Sequence, residues 1–428
     1  MPPLDPPLED SVLRSLFSGI TGLRQHQTLM DVVSNNIANV NTTGYKSSAV
    51  VFEDTLSQLV KPAASSTGTS GGVNPAQVGL GVQLGAIMTN FSQGSAQNTG
   101  RSTDLMIQGD GFFVVRNGAQ TAYTRAGAFS FDTNGKLVTP EGRLVQGWTA
   151  DPNSGLVNTD NPIGDIQLPT GTLIEPTATT MVTAAGNITA LTDAQKNETD
   201  PDLIATMTLG ATAYDAQGKS HALSIKLTWD LANNNWTVNI TDQDDPTGST
   251  ETPGAISFNP DGTFDAATSA TTPASIALAD GTVVNLDLTG ITNFGGPKSL
   301  AVTATDGNSA GTLQQFQIQA DGSVLGMFSN GEKKIMAQIA LANFNNPMGL
   351  QKVGETSFIA TTNSGLPQVG TAGTGGRGDL LGGAIEMSNV DLAQEFTNLI
   401  VAQRGFQANS RVITTSDQML QDLVDLKR

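Results

Sequence analysis

Apolar residues recur at intervals of three and four near the start of the chain. The repeat runs through Leu13, Leu16, Ile20, Leu23, Gln27, Met30, Ser34 and Ile37. This alternation is the seam of a coiled coil with two polar interruptions. It predicts a helix that starts near Val12, is capped by Asp10 or Ser11, and ends before Gly44.

The C-terminal segment repeats this pattern. Ser388 followed by Asp391 resembles a capping box at the start of a helix. The apolar repeat then runs through Leu392, Phe396, Leu399, Gln403, Phe406, Ser410, Ile413, Asp417, Leu420 and Val424. At the rise of an α-helix, each of the two predicted helices is roughly 40 to 55 Å long.

Both predicted helices carry few charges away from their seams. Between residues 13 and 40 the charged residues are Arg14, Arg24 and Asp31. A solvated helix normally has a charged outer face, so this pattern favours packing among further helices. The alternative, two surface helices of a monomer, stays open at this point.

The middle of the chain alternates with a period of two, which is typical of strands. Apolar residues occupy positions 223, 225, 227 and 229, and after a turn at 233–235 the same alternation continues with Trp236, Val238 and Ile240. This pattern predicts a half-buried hairpin. Asp-Gly and Asn-Gly pairs mark further turns, at residues 110–111, 117–118, 134–135, 261–262, 280–281, 321–322 and 330–331. We therefore expect a mainly β fold with an α-helical coiled-coil domain formed by both termini.

Changes in composition mark linkers and predict a nested, discontinuous arrangement of domains. Gly, Ser and Thr dominate residues 63–72 and 361–383, which we expect to be flexible linkers. The predicted domains are a terminal-helix domain (12–62 plus 384–428), an inner β domain (73–165 plus 325–372) and an outer β domain (166–324), preceded by a Pro-rich extension (1–11).

Composition excludes several classes of function. The formal net charge is −18 and no cluster of Lys and Arg occurs, which argues against nucleic acid as a partner. Cysteine is absent, so the chain has no disulfide, no thiolate nucleophile and no cysteine-ligated metal. We also expect no membrane insertion, because no apolar run is long enough, and no cleaved signal peptide, because the start is acidic and rich in Pro.

Candidate catalytic and ligand-binding motifs are few. His26 and His221 are the only histidines, and neither has an obvious carboxylate partner. Residues 373–378 match G-x-G-x-x-G and residues 377–379 read Arg-Gly-Asp, but both lie in a Gly-rich linker without the strand and helix that a nucleotide site needs. The acidic residues at 242–245 lack the spacing of a calcium loop. We predict no enzyme activity, no cofactor and no metal.

Two terminal segments carry a family resemblance. Residues 34–46 (SNNIANVNTTGYK) and 389–428 (NVDLAQEFTNLI and onward) resemble the paired signatures of the flagellar axial family, which comprises rod, hook and hook-associated proteins. Residues 104–115 and 123–148 are similar to the first β domain that hook and distal rod members share. Residues 212–229 are similar to the outer domain of hook members. The long second insertion therefore favours the hook class over the distal rod class.

Two sets of residues follow from these patterns. The seam residues that we expect to carry helix pairing and self-assembly are Leu16, Ile20, Leu23, Ile37, Phe396, Leu399, Phe406, Ile413 and Leu420. The resemblance assigns a signature turn to Asn35, Asn36, Asn39, Asn41, Gly44 and Tyr45.

The resemblance implies a structural subunit of a helical tube that bends, transmits torque and encloses an export channel. The implied partners are further copies of the chain, a distal rod protein, a hook cap scaffold protein, a hook–filament junction protein and the flagellar type III export apparatus. The implied location is outside the cell, in the flagellar hook and basal body. A cysteine crosslink found in some members is excluded for this chain. A distal rod protein and a secreted β-rich adhesin remain as alternatives.

Overall fold

A computed structural model describes residues 8–66, 71–151, 155–168, 173–199, 204–245, 250–269 and 274–426. Within these ranges the fold is mainly β, as predicted, with a long helix at each end. Residues 1–7 of the predicted Pro-rich extension and 67–70 of the predicted first linker lie outside the described residues.

Strands make up most of the elements between the two terminal helices. Up to residue 168 the elements are α1 (Leu8–Ala38), β1 (Ser48–Asp54), β2 (Ser57–Lys61), β3 (Ala76–Gly79), β4 (Val82–Thr89), β5 (Ala96–Asn98), β6 (Leu105–Gln108), β7 (Phe112–Asn117), β8 (Gln120–Thr124), β9 (Ser130–Phe131), β10 (Leu137–Val138), β11 (Leu144–Thr149) and β12 (Gly164–Asp165). The middle of the chain contains β13 (Leu173–Ile174), β14 (Met181–Asn187), α2 (Asp193–Lys196), β15 (Thr206–Tyr214), β16 (Ser220–Asp230), β17 (Asn235–Asp242), β18 (Thr250–Thr252), β19 (Gly254–Ile256), α3 (Ala266–Ser269), β20 (Ser275–Ala277), β21 (Val283–Thr292), β22 (Ala301–Thr305), β23 (Gly311–Ile318), β24 (Ser323–Phe328) and β25 (Lys333–Ile339). The remainder contains β26 (Leu341–Asn343), a 3₁₀ turn (Pro347–Gly349), β27 (Gln351–Gly354), β28 (Ser357–Ile359), β29 (Gln368–Gly370), β30 (Asp379–Gly382), β31 (Ala384–Glu386) and α4 (Leu392–Leu426).

The chain divides into two compact units. Unit 1 combines Met1–Leu168, Gln317–Leu325 and Ile335–Arg428, and unit 2 combines Pro169–Phe316 and Gly326–Lys334. The terminal helices and the β region next to them in sequence therefore belong to one unit. The finer separation into a terminal-helix domain and an inner β domain stays a prediction.

The first helix differs from its prediction at both ends. It starts at Leu8, so the backbone at Asp10 and Ser11 is already helical and the cap predicted at these residues is wrong. It ends at Ala38, six residues before Gly44, because Asn39 begins a tight turn that interrupts it.

The start of the last helix is set by local hydrogen bonds. Asp391 caps α4, because its Oδ1 accepts hydrogen bonds from the backbone N–H groups of Ala393 and Gln394 at 2.9 and 3.3 Å. The predicted capping box at Ser388 is therefore wrong, since the Ser388 hydroxyl accepts from Val390 N instead.

A long two-stranded hairpin follows α1. β1 pairs antiparallel with β4, and β2 pairs antiparallel with β3 further along. β1 and β4 both contact α1. Ala64 and Val73 form an isolated bridge beyond β2 and β3, so the described parts of the predicted first linker include paired backbone.

The β region of unit 1 is built around β7, β8 and β11. β7 pairs with β8 and with β11, and β26 pairs with both β7 and β29. An aromatic core lies beneath them, formed by Phe112, Tyr123, Trp148, Phe344 and Phe358. Segment 361–383 contains β29 and β30, the latter paired with β6, so part of the predicted second linker lies in sheet.

Unit 2 encloses its core between two sheets. One has the order β18-β20-β21-β14-β22 and the other β15-β16-β17-β19, and the buried apolar cluster draws side chains from both. β16 and β17 form the predicted hairpin, with Trp229 opposite Trp236. Their burial alternates from residue to residue, which confirms the period-two pattern seen in the sequence.

Candidate assembly site

The two terminal helices pack together through small and polar residues. Ser15 and Ser416 lie with their hydroxyl oxygens 3.3 Å apart. A Cβ added to Gly22 would come within 2.9 Å of the Asn409 side chain, and one added to Gly405 would collide with the His26 ring. Glycines at these contacts allow the two backbones to approach closely.

The contact stripe on α1 is offset by one residue from the predicted seam. Close contacts with α4 occur at Ser15, Gly19, Gly22 and His26, and those of Gly19 include Ile413, a predicted seam residue of α4. The predicted seam residues of α1 are Leu16, Ile20, Leu23 and Ile37. These four apolar residues are partly buried. The offset arises because small residues permit the closest approach, so bulkier neighbours lie to the side of the contact line.

On α4 much of the predicted seam lies in the partly buried stripe. Leu399, Phe406, Ile413 and Leu420 are partly buried, and the stripe continues through Ala402, Asn409 and Ser416, whereas Gln403 and Asp417 are exposed. Phe396 lies away from the stripe, with 50% of its surface exposed. The contribution of these residues to self-assembly stays a prediction.

The signature turn after α1 is held by side-chain amides. Asn36 is buried, and its Nδ2 donates to Ser48 O at 2.8 Å and to Glu395 Oε1 at 3.1 Å. Its Oδ1 accepts from Ser48 N and from the Tyr45 hydroxyl. The same hydroxyl donates to Asn35 Oδ1 at 2.8 Å. Asn36 therefore joins α1, β1 and α4.

The other signature residues shape the turn itself. Asn39 Nδ2 donates to Asn35 O, and its Oδ1 accepts from the Thr42 hydroxyl. Asn41 is exposed. Gly44 has φ of +68°, its N–H donates to Glu386 O at 2.8 Å, and an added Cβ would collide with the backbone of Ala126. The structure thus brings all of these residues except Asn41 into one contact network.

Three buried charged residues, none of them predicted as site residues from the sequence, complete the contacts around this turn. Lys46 Nζ lies 2.6 Å from Glu386 Oε1, and both side chains are fully buried. Arg125, also buried, places Nη1 3.6 Å from Glu386 Oε2 and its guanidinium over the Phe112 ring. Gly94 N donates to Glu386 Oε1 as well. One signal was available, because Lys46 and Glu386 are isolated charges within uncharged segments.

Burial governs the electrostatics of this cluster. Burial lowers the pKa of the Lys46 ammonium, although its hydrogen bond and charge contact with Glu386 oppose that shift. Burial likewise lowers the pKa of the Arg125 guanidinium from its ordinary value, again opposed by Glu386. Both cations are therefore stabilised at this position chiefly by the one carboxylate.

Two further side chains cross-brace the junction. Asn389 accepts a hydrogen bond from Ser47 N at 2.8 Å and donates to Asn90 O at 2.8 Å. Lys352 donates to Lys46 O at 3.1 Å and lies over the Tyr45 ring. The segments before and after the β region of unit 1 are thus tied to each other and to it. We name this assembly of Asn36, Gly44, Tyr45, Lys46, Arg125, Glu386 and Asn389 the junction.

Each histidine has contacts within its own unit. The expectation that His221 lacks a carboxylate partner is wrong: its Nδ1 lies 2.7 Å from Asp242 Oδ2, and Nε2 lies 3.6 Å from Asp215 Oδ2. His26 packs edge-on against Phe52. No group of three or more potential metal ligands occurs among the residues that the structure describes.

The residues of the two remaining motifs lie between β29 and the first residue of β30 and make local contacts. Arg377 of the Arg-Gly-Asp tripeptide donates from Nε to Thr371 O at 2.9 Å and from Nη2 to the Thr374 hydroxyl at 2.9 Å. The G-x-G-x-x-G match lies between β29 and β30 and does not open a helix. Over the described part of the chain, no helix has the length and apolar character needed to cross a membrane.

Comparison with known proteins identifies the family. The flagellar hook protein FlgE of Borreliella burgdorferi is 38% identical over 444 aligned residues, which cover 97% of this chain and 100% of that protein. The chain belongs to the flagellar hook protein family. It is accordingly a structural subunit of the bacterial flagellar hook, a component of the motility apparatus.

Family models match consecutive parts of this hook chain. "Flagella basal body rod protein" matches residues 16–46 and "Flagellar basal body rod FlgEFG protein C-terminal" matches 381–426, which are the segments that contain the junction's two ends. "Flagellar hook protein FlgE/F/G D1 domain" matches 106–190, and "Flagellar basal body protein FlaE D2 domain" matches 183–308.

Two further comparisons define the limits of the likeness. The crystal structure of Helicobacter pylori flagellar hook protein FlgE2 superposes with a TM-score of 0.51 at 15% identity, covering 66% of this chain and 98% of that one, and so supports the fold. The flagellar basal-body rod protein FlgG of Bacillus subtilis is 32% identical over 418 residues, which cover 97% of this chain and 100% of that protein. This rod protein therefore resembles the chain over nearly its whole length.

Proposed function

We propose that this chain polymerises through its paired terminal helices into the curved, flexible tube of the hook. The tube acts as a universal joint that transmits torque from rod to filament and encloses the export channel. The observation that carries this proposal is a set of large apolar side chains left exposed on the helix pair, namely Phe17, Phe396, Ile400, Val401, Val412, Met419 and Val424.

These exposed side chains need a partner. Burying one large apolar side chain stabilises by roughly 1.5–3 kcal/mol, so a second helix pair that covered several of them would gain on the order of 10 kcal/mol. The helices carry few charges, which lowers the desolvation cost of placing copies side by side. Further copies of this chain are therefore the best-matched occupants of this surface.

The proposal extends to architecture. The terminal helices form a coiled-coil inner tube, the inner β domain a middle shell and the outer β domain the outer surface, in the nested order expected from the sequence. The subunit is not an enzyme and uses no cofactor or metal. Polar β domains that slide on one another would let the tube bend during rotation.

The proposed partners are the distal rod protein at one end of the tube, the hook–filament junction protein at the other, the hook cap scaffold protein during growth and the type III export apparatus. The proposed location is extracellular, reached without a cleaved signal peptide. The acidic charge of −18 and the absence of a basic cluster support the view that nucleic acid is no partner.

The test is complementation of a hook-protein deletion strain, examined by negative-stain electron microscopy. The unsubstituted chain should restore hooks, whereas Leu399→Asp, which places a charge in the partly buried stripe of α4, should leave the β units folded and abolish polymerisation. Leu399→Met keeps volume and polarity and serves as the matched control. Normal hooks from the Asp variant would contradict the proposal.

A distal rod function remains the second candidate because of the rod relative at 32% identity. Complementation of a distal-rod deletion strain separates the two. Restored rods without restored hooks would favour the rod function. We expect the reverse, because the hook relative from Borreliella burgdorferi is 38% identical to this chain and the rod relative 32%.

A further inference from the structure

Three Asn-Gly pairs of the chain lie in turns, and their surroundings differ. They are Asn117-Gly118, Asn134-Gly135 and Asn330-Gly331. In such a pair the backbone nitrogen of the glycine can reach the side-chain amide carbon of the asparagine, because glycine has no Cβ to obstruct the approach. The reaction that follows is deamidation. It requires both groups to be released from the hydrogen bonds that hold the turn.

The turn at Asn330 holds both reacting groups. The Asn330 side chain donates to Ser309 O at 2.9 Å and accepts from Glu332 N at 3.1 Å. The N–H of Gly331 donates to Phe328 O at 2.9 Å. The amide carbon and the nitrogen that would attack it are therefore both fixed by hydrogen bonds to other groups.

The turn at Asn134 is held through its backbone. Gly135 N donates to Asp132 O at 3.1 Å, and Asp132 N donates to Lys136 O at 2.9 Å. The backbone N–H groups of Asn134 and Lys136 both donate to Asp132 Oδ1. The Gln167 side chain donates to Asn134 O at 2.9 Å. Rotation of the backbone at Asn134 therefore has to break several hydrogen bonds.

The pair at the tip of the β7–β8 hairpin has fewer restraints. Asn117 and Gly118 are exposed. Among the residues that the structure describes, neither the Asn117 side chain nor the Gly118 N–H has a hydrogen-bond partner. A Cβ added to Gly118 would have no heavy atom within 4 Å. The backbone of Asn117 is held by the last pair of the hairpin, opposite Gln120, and such an exposed end opens most easily.

We propose that Asn117 is a site of spontaneous deamidation in the folded chain. The N–H of Gly118 loses its proton to solvent, its nitrogen bonds to Asn117 Cγ, the Cγ–Nδ2 bond breaks, and ammonia leaves. One water molecule then opens the resulting five-membered ring. Cleavage of its bond between nitrogen and Cγ gives aspartate, and cleavage between nitrogen and the backbone carbonyl carbon gives isoaspartate. Either product replaces a neutral amide by a carboxylate.

The two products differ in their effect on the hairpin. Aspartate leaves the course of the backbone unchanged. Isoaspartate routes the backbone through the side-chain carbon atoms, which lengthens it at position 117 and disturbs the pairing with Gln120. Both products add a negative charge to the exposed tip of the hairpin, so the surface charge of unit 1 would depend on the age of the subunit.

Peptide mapping by mass spectrometry on the purified full-length chain tests this proposal. The folded chain is held at neutral and at mildly alkaline pH, and product at each Asn-Gly pair is followed over time. Opening one hydrogen bond lowers the rate of a reaction that requires it by about 2- to 10-fold. We therefore expect Asn117 to react about tenfold faster than Asn330, with Asn134 also slower than Asn117. The rate should rise with pH, because the attacking nitrogen must lose its proton.

Two controls separate structure from sequence. In concentrated guanidinium chloride all three pairs lose the hydrogen bonds of their turns, and their rates should become similar. Asn117→Gln lengthens the side chain by one methylene, so that attack would form a larger and less favoured ring. This variant should lose the product at position 117 and keep the rates at Asn134 and Asn330.

The outcomes decide the proposal directly. Selective product at Asn117 in the folded chain, with convergence of the three rates on unfolding, would support it. A rate at Asn117 no higher than that at Asn330 in the folded chain would overturn it. A preference for Asn117 that persisted unchanged after unfolding would also overturn it, because the neighbouring residues in sequence, and not the open hairpin tip, would then set the rate.

Discussion

Gly44→Ala tests how tightly the signature turn is bound to the β region of unit 1. Gly44 has φ of +68°, in the left-handed region that costs an L-residue about 1 kcal/mol or more. A Cβ at this position would also lie 2.7 Å from Ala126 Cα and 2.8 Å from the Arg125 carbonyl carbon, so backbone must shift. Displacing packed backbone costs roughly a further 1–3 kcal/mol. The expected total is about 2–4 kcal/mol.

A matched control separates strain from collision. Gly118 has φ of +59°, and no heavy atom lies within 4 Å of the Cβ it would gain. Gly118→Ala therefore carries the conformational cost without the collision, and we expect it to destabilise by about 1 kcal/mol. The difference between the two variants, about 1–3 kcal/mol, measures the packing of the signature turn.

Trp148 reports this difference. It is one of three tryptophans in the chain and lies in the aromatic core together with Phe112. The guanidinium of Arg125 lies over the Phe112 ring, which links this core to the signature turn. In a background where Trp229 and Trp236 are replaced by Phe, urea unfolding followed by fluorescence monitors unit 1. Equal loss of stability in the two glycine variants would refute the argument, because it would show that the turn can leave its site at no cost.

Three further substitutions have expected outcomes. Gly22→Leu should weaken the helix pair by about 2 kcal/mol through collision with Asn409, seen as faster hydrogen exchange in both helices, while Gln27→Leu on an exposed face should not. Burial raises the pKa of Asp165, but hydrogen bonds from surrounding side chains outweigh it and hold the pKa low. The Asp165 contribution to the stability of unit 1 is therefore present above about pH 4 and is lost as pH falls through the folded value, so Asp165→Asn should flatten the acid branch of a urea-unfolding series from about pH 7 to about pH 2. Thr356→Gly should stabilise by about 0.5 kcal/mol in the same assay, because Thr356 has φ of +52°, and a loss of stability would contradict this.

Local patterns in the sequence predicted the local structure well. Strict alternation identified the hairpin with Trp229 opposite Trp236, since one buried face requires a period of two. The same alternation, extended by one step on each strand, leads to His221 and Asp242, which share that buried face. The alternation could therefore have predicted Asp242 as the partner of His221. The prediction missed this pair because it followed the alternation only as far as the last apolar residue of each strand.

The junction could not be derived from local patterns. Lys46, Arg125 and Glu386 meet only because the fold returns the chain to its starting point, and no periodicity records a contact over 340 residues. Gly44 belongs to the family signature, but the sequence does not reveal why a glycine is needed there. The reason is that the backbone of Ala126 approaches Gly44 closely in the fold. Side chains that satisfy one another across such distances are specified by tertiary structure alone.

The one-residue offset of the helix seam has a physical cause that bears on assembly. A heptad pattern marks the apolar face of a helix, which is wider than a single line of contact. In this pair the backbones approach closely at small residues such as Gly19 and Gly22, with Ile413 and Val412 packed against Gly19, and several other large apolar side chains lie outside the contact. Phe396 is one of these, half exposed although it belongs to the predicted seam. An intramolecular pair that buried its whole apolar face would leave nothing for a neighbour, whereas a pair joined through its smallest residues leaves large apolar side chains at its margins. The pattern along the chain therefore combines two surfaces, one that joins the ends of a subunit and one that we propose joins subunits to each other.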